Sequence, residues 1–220
     1  MTAWGVENLW LFVLAGIALN LTPGPDVIYV VTNGLKSGGR AGLAAAAGIT
    51  AGCFVHICAG ALGVSALIAA SATAFALLQW AGAAYLVFLG VRMLRSRSLS
   101  VAPVLIADDA QSTRARGVFS LKAVFIRGFV TNALNPKVAL FFLAFVPQFI
   151  GAQAPHPTLA FLALGLVFNI NGFFVNAGYG LLAAWAARRV TAVQRGLRLL
   201  ERVAGALFMG FGVKLALGAR

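Results

Sequence analysis

Asp26 is the one acidic residue set deep inside an apolar stretch of this chain, and Lys137 is a basic residue similarly placed in a later stretch. An ionised side chain at the centre of a membrane costs about 2.5 to 3.5 kcal/mol on insertion scales, so each needs a partner or a protonation cycle. Asp26 therefore has two readings, which can coexist in one residue. It is a carboxylate for proton coupling or for a substrate ammonium, with Lys137 as counter-charge, or it caps a helix start where the dipole favours an anion.

Both residues close short runs rich in proline and small polar residues: Asn20-Leu-Thr-Pro-Gly-Pro-Asp26 and Asn132-Ala-Leu-Asn-Pro-Lys137. Proline within a helix removes a backbone hydrogen bond and costs about 3 kcal/mol, so Pro23, Pro25 and Pro136, near the centres of their apolar stretches, demand compensation. Where two broken helices meet at mid-membrane, half-helix N-termini face an anionic group and freed carbonyls face a cationic one. A zwitterionic amino acid fits that pair of ends. The candidate binding or coupling residues are thus Asn20, Thr22, Pro23, Gly24, Pro25, Asp26, Asn132, Asn135, Pro136 and Lys137, with His56 added from a separate stretch.

His56 interrupts a ridge of Gly48, Gly52 and Gly60 at four-residue intervals, which permits close helix approach. A lone histidine there reads first as a hydrogen-bonded interhelical contact and second as a proton relay. Gly165, Asn169, Gly172, Asn176 and Tyr179 form a further stripe at helical spacing that should face the protein interior, its asparagines read as packing contacts. Arg127 is read as snorkelling towards the cytoplasm, or as lining an entry vestibule. Cys53 and Cys58 turn away from each other along one helix, which argues against a disulfide and, with His56, against a metal site. Asp108 and Asp109 are read as a solvated turn.

The elements that must position these residues are long apolar helices. The sequence is 61% hydrophobic and 10% charged, far from the balance of a soluble globule. The net charge of +12 does not signal nucleic-acid binding, because the basic residues punctuate apolar segments. A hydrocarbon core needs roughly 20 apolar residues per helix, and six segments qualify: Leu9 to Leu35, Gly42 to Ala70, Thr73 to Leu94, Val118 to Ile150, Thr158 to Ala187 and Gly196 to Gly218. They are too long for barrel strands and lack period-two alternation. No basic residue precedes the first segment, which is therefore expected to be retained as a span.

Basic residues concentrate between spans one and two (Lys36, Arg40), three and four (from Arg92 to Lys122), and five and six (from Arg188 to Arg202). Only Lys214 and Arg220 lie on the other side. The positive-inside rule then predicts two periplasmic termini in a multi-pass protein of the bacterial inner membrane. Gly90-Val91-Arg92 echoes Gly212-Val213-Lys214, and the broken spans one and four correspond. The expected architecture is an all-α membrane protein of two inverted three-helix repeats, residues 1–95 and 118–220, joined by a cytoplasmic linker at 96–117.

With the segments so placed, the chain resembles the LysE/RhtB family, the lysine exporter or homoserine/threonine efflux family. The resemblance covers nearly the whole chain. It rests on Asn20 to Asp26, Gly48-x3-Gly52-x3-His56, Gln79-Trp80-Ala-Gly-Ala-Ala-Tyr85 through Leu89-Gly90, Asn132 to Lys137, and Phe141-Phe-Leu-Ala-Phe-Val-Pro-Gln-Phe149. It implies export of amino acids or close derivatives from the cytoplasm, driven by a proton gradient or by exchange. It places Thr22 to Asp26 and Asn135 to Lys137 at the family's two signature positions.

No phosphate-cradling loop is present, no cofactor is expected, and no nucleophile-and-base constellation argues for an enzyme. A single mid-membrane acid suits the ammonium of a neutral or homoserine-like amino acid better than a cationic side chain. The alternative is a cation or metal-ion exporter of the same superfamily, which should show clustered Cys, His or carboxylates. Expected partners are the amino-acid substrate, protons as coupling ion, membrane lipid and further copies of the chain, since glycine ridges also serve association between protomers.

Overall fold

The computed structural model describes residues 4–71, 120–151, 154–187 and 202–214, with isolated positions between 73 and 91. Among them the regular elements are helical, apart from one antiparallel bridge pairing Val6 with Ile150. We number the helices α1 (Leu9–Leu21), α2 (Pro25–Ser37), α3 (Gly39–Ala70), α4 (Leu121–Ala133), α5 (Pro136–Leu140), α6 (Pro157–Ala186) and α7 (202–214). α5 runs on through a π turn at Phe141–Phe145 and a 3-10 turn at Val146–Phe149.

α3 and α6 each contain a stretch long and apolar enough to cross a membrane. The pair α1 and α2, bent by 55°, and the pair formed by α4 with Pro136–Phe149, bent by 46°, each qualify as one broken span. These correspond to expected spans one, two, four and five. Expected span three, Thr73 to Leu94, lies largely outside the described residues, as does the linker at 96–117 with Asp108 and Asp109, and span six is described only over 202–214.

The two breaks fall at the prolines expected to disturb a helix, and the geometry removes the penalty. Pro25 and Pro136 both stand in the first turn of a new helix, where the missing N–H has no helical acceptor to lose and the fixed φ suits the start. Neither is an interior proline. The chain makes two helices at each position instead of one strained one.

α3 is the central element, packed against α4 on one side and α6 on another, while α2 packs against both α3 and α6. The glycine ridge explains the closeness. A Cβ on Gly48 would strike the Phe125 carbonyl, one on Gly52 the Phe129 carbonyl, and one on Gly60 the ring of Phe161 at 2.5 Å. Farther along, a Cβ on Gly42 would sit 2.8 Å from the Gly180 Cα. The obstacle at Gly48 is backbone, which cannot swing aside. Gly48→Leu is therefore expected to lower stability by about 3 kcal/mol or more, read as a lower thermal unfolding midpoint in detergent; an unchanged midpoint would refute this close crossing.

Two buried clusters flank the mid-section. One gathers Phe12, Phe141, Phe142, Phe145, Phe149, Phe161 and Phe168, with Phe208 from α7. The other gathers Val27, Val30, Val31, Ala45, Ile49 and Ala183. At one end of the bundle the N-terminal segment is stitched to the end of the fourth apolar segment, where Glu7 N–H donates to the Phe149 carbonyl at 2.9 Å and Gly151 N–H to the Gly5 carbonyl at 2.9 Å. At the opposite end a Cβ on Gly39 would lie 3.2 Å from Leu181, so the α2–α3 turn, with Lys36 and Arg40, shares that end with the close of α6.

Candidate functional site

The two breaks meet in space. The last turn of α1 ends at Thr22, whose N–H donates to the Ala18 and Leu19 carbonyls and whose hydroxyl also donates to the Ala18 carbonyl at 2.7 Å. Pro23 and Gly24 then carry the chain across to α2. Gly24 is the cap residue of α2 and lends no side-chain bond, while Asp26 sits in the first turn, where the helix dipole favours its charge. Asp26 is thus a first-turn carboxylate and not the cap itself. In the second break Asn135 does cap: its side-chain oxygen accepts from the Lys137 N–H at 3.0 Å, setting the start of α5.

Lys137, from the second break, reaches back into the first. Its Nζ donates to the Thr22 carbonyl at 3.0 Å and to the Leu19 carbonyl at 3.3 Å, and stands 3.7 Å from the Asp26 carboxylate. The lysine therefore occupies the negative end of the α1 dipole, the place expected for the cationic end of a substrate, as well as standing as the expected counter-charge to Asp26. Both charged side chains are almost fully buried. A Cβ on Gly24 would lie 2.6 Å from Asp26 Oδ1 and 3.0 Å from Lys137 Nζ, so only glycine leaves room for the pair at this point.

Beside this pair lies a narrow cavity lined by Asn20, Asp26, Thr50, Cys53, Asn132, Asn169, Gly172 and Asn176 among others. Its free space suits a water and not a whole amino acid. Asp26 Oδ1, Asn132 Oδ1 and Asn176 Oδ1 are buried without a hydrogen-bond partner. Asp26 Oδ1 faces Lys137 Nζ at 3.7 Å, and Thr32 Oγ1 and Asn135 Nδ2 are likewise buried without a hydrogen-bond partner; buried polar atoms are rarely left so.

Of the residues expected at the site, Asn20, Asp26 and Asn132 line the cavity. Thr22 and Gly24 lie against the Asp26–Lys137 pair beside it, and Pro23, Pro25, Asn135 and Pro136 shape the breaks. His56 stands apart from the lining, its Nε2–H donating to the Asn132 carbonyl at 2.8 Å and its ring stacked on Phe142 at 6.4 Å between centroids. Its link to the cavity is that bond to the backbone of Asn132, whose side chain is in the lining. Arg127 is exposed and does not line the cavity.

The asparagine stripe of α6, which by spacing alone reads as packing, supplies residues that the sequence does not single out as ligands. Asn169, Gly172 and Asn176 face the cavity, and the Tyr179 hydroxyl donates to the Leu21 carbonyl at 2.9 Å, holding the end of α1. The stripe itself is the available signal. Phe168 also lines the cavity and packs tilted against Phe141 at 4.6 Å and edge-to-face against Phe142 at 5.3 Å, so the aromatic cluster closes it towards the Glu7 and Phe149 end. Cys53 is buried in the lining and Cys58 is exposed.

A family model described as LysE type translocator matches residues 17–219. The chain is 35% identical over 210 residues to an uncharacterized membrane protein of Vibrio cholerae, covering 95% of this chain and 97% of that protein. It is 34% identical to an uncharacterized membrane protein of Pseudomonas aeruginosa, covering 98% of each. It is 33% identical to the homoserine/homoserine lactone efflux protein of Salmonella typhimurium, covering 96% of each. No solved structure matches the chain.

Proposed function

Because the chain belongs to the LysE type translocator family and is a membrane transporter, we propose that it exports small neutral amino acids or homoserine-like compounds from the cytoplasm, as a secondary transporter driven by a proton gradient or by exchange. The observation that carries this reading is Asp26: a carboxylate buried at a helix break, ion-paired with Lys137 from the second break and bordering a cavity lined by three asparagines beyond Asn20. A relative named for homoserine and homoserine lactone efflux supports the substrate class.

In this reading the whole chain comprises six spans arranged as inverted repeats over 1–95 and 118–220, with 96–117 as linker. The support is the correspondence of the two breaks, bent by 55° and 46° and each restarted by a proline. The end that carries Lys36 and Arg40 faces the cytoplasm of the bacterium and the termini face the periplasm, on the positive-inside rule. The glycine faces left unmatched within one chain pair copies into a homo-oligomer in the lipid. Transport of a cation or metal ion is the weaker reading, because among the described residues no group of three His, Cys, Asp or Glu side chains converges.

The test is counterflow in liposomes holding the purified protein, with labelled homoserine, threonine and leucine, with and without a pH gradient. Saturable uptake of at least one of them, accelerated by unlabelled substrate on the far side, is the expected result. Uptake of a cation with no amino-acid movement under any gradient would refute the proposal.

A further inference from the structure

We infer that the end of α1, together with the Asp26 carboxylate, is a cradle for a small monovalent cation, occupied by the protein's own Lys137 ammonium in place of a free ion. Transport then needs no sodium or potassium ion, and shortening Lys137 opens the cradle to a free ammonium, a small primary alkylammonium or an alkali cation. The consequence for transport rests on the exporter reading, whereas the cradle itself rests on geometry.

A helix leaves its last carbonyls without intrahelical donors, and they carry the negative end of its dipole. At the end of α1 neutral donors serve part of that set: Thr22 N–H reaches the Ala18 and Leu19 carbonyls, and the Tyr179 hydroxyl reaches the Leu21 carbonyl. The Leu19 and Thr22 carbonyls converge with Asp26 Oδ1 on one point, where Lys137 Nζ lies 3.3, 3.0 and 3.7 Å from them. The two charged side chains are 8% and 4% exposed, so bulk water hardly reaches that point. Three converging oxygens, one of them a carboxylate's, suit the three N–H donors of an ammonium and equally a hard metal cation, which also takes oxygen ligands. The space exists because residue 24 is glycine, whose missing Cβ would stand 3.0 Å from Nζ.

The second break shows the same kind of helix end closed without a cation. At the end of α4 the Asn132 carbonyl accepts from the Asn135 N–H at 2.8 Å and from His56 Nε2–H at 2.8 Å, and the Val130 carbonyl accepts from the Leu134 N–H at 3.0 Å. No carboxylate joins them: the one other acid among the described residues, Glu7, lies beside Gly151. A cation is therefore built in only where a helix end meets a carboxylate, and it comes from the opposite break. Its base is fixed, because the Lys137 N–H donates to the Asn135 side chain at the start of α5. An ion tethered to the chain ties the two breaks together electrostatically, as a bound metal ion would, yet cannot be released on either side of the membrane.

Counterflow of labelled homoserine by the parent protein is expected to be unchanged when N-methylglucamine replaces sodium and potassium on both sides of the liposome. The parent's unfolding midpoint should be the same in ammonium, sodium, potassium and choline chlorides of equal ionic strength. Lys137→Ala should unfold at a lower temperature in choline chloride, and at least one of ammonium, methylammonium, sodium and potassium chlorides should raise that midpoint saturably, by about 5 °C at a hundredfold the dissociation constant. Tetramethylammonium, bulky and without an N–H, should not, and adding Asp26→Asn to Lys137→Ala should remove the response. A parent protein that requires sodium or potassium for counterflow, or that one of these salts stabilises as strongly as it does the variant, would overturn the inference. So would a folded Lys137→Ala indifferent to all four cations. Should Lys137→Ala fold in none of these salts, the parent protein decides alone. If no amino acid moves while Lys137→Ala still responds to a small cation, the exporter reading fails and the cradle stands; sodium-dependent homoserine counterflow means the reverse.

Discussion

Asp26→Asn is expected to abolish saturable transport, lowering counterflow by roughly a hundredfold or more, the loss anticipated when a buried ionic hydrogen-bonded contact to a ligand is removed. Two effects combine. The cavity loses its only anion among the described lining residues, and Lys137 keeps its charge with two carbonyls but no counter-ion. Leaving a buried charge uncompensated destabilises a protein by about 3 to 5 kcal/mol, so lost activity alone would not prove a binding role. The double replacement Asp26→Asn with Lys137→Met removes both charges together. It is expected to regain much of the unfolding midpoint lost by Asp26→Asn and to remain inactive in liposomes. A double variant that transports would show that Asp26 serves only the fold.

Lys137→Met is expected to be the most damaging single change to stability, about 3 to 5 kcal/mol, measured as a fall in the thermal unfolding midpoint of the purified protein. The ammonium holds the Leu19 and Thr22 carbonyls where α1 ends and faces Asp26 across 3.7 Å. A thioether fills a similar volume and donates nothing, so those carbonyls are left with water-poor surroundings and Asp26 without its counter-charge. A protein that unfolds at the parent temperature would mean that the lysine contributes little to joining the two breaks. Comparison of the two single variants with the double variant yields the coupling energy of the pair.

Much of this site is legible in the amino-acid sequence alone. Two ionisable side chains in apolar stretches have few places to go except towards each other, which is why Asp26 and Lys137 pair across a long separation in sequence. Proline cannot continue a helix without loss, so the breaks at Pro25 and Pro136 are visible as interruptions. Their resolution is less visible, because only backbone geometry shows whether a proline bends a helix from within or begins a new one.

The role of α6 is half legible. Spacing shows that Asn169 and Asn176 share a face, but pattern alone does not reveal whether a buried amide finds a partner. Asn176 does so with its nitrogen and not with its oxygen. The π turn at Phe141–Phe145 has no signal in an apolar run that reads as continuous helix. It matters because the wider turn and the following 3-10 segment leave Phe141, Phe142, Phe145 and Phe149 all buried in one cluster beneath the cavity.

The pairing of one carboxylate with one ammonium also sets the electrical character of a transport cycle. An empty site holding Asp26 and Lys137 is neutral, and it remains so when a zwitterionic amino acid is bound. Moving one net charge across the membrane is worth about 2.3 kcal/mol for each 100 mV, close to a fiftyfold bias. In the proposed reading, export of a zwitterion alone moves no net charge, whereas export coupled to an inward proton is drawn forward by a membrane negative inside as well as by the pH difference.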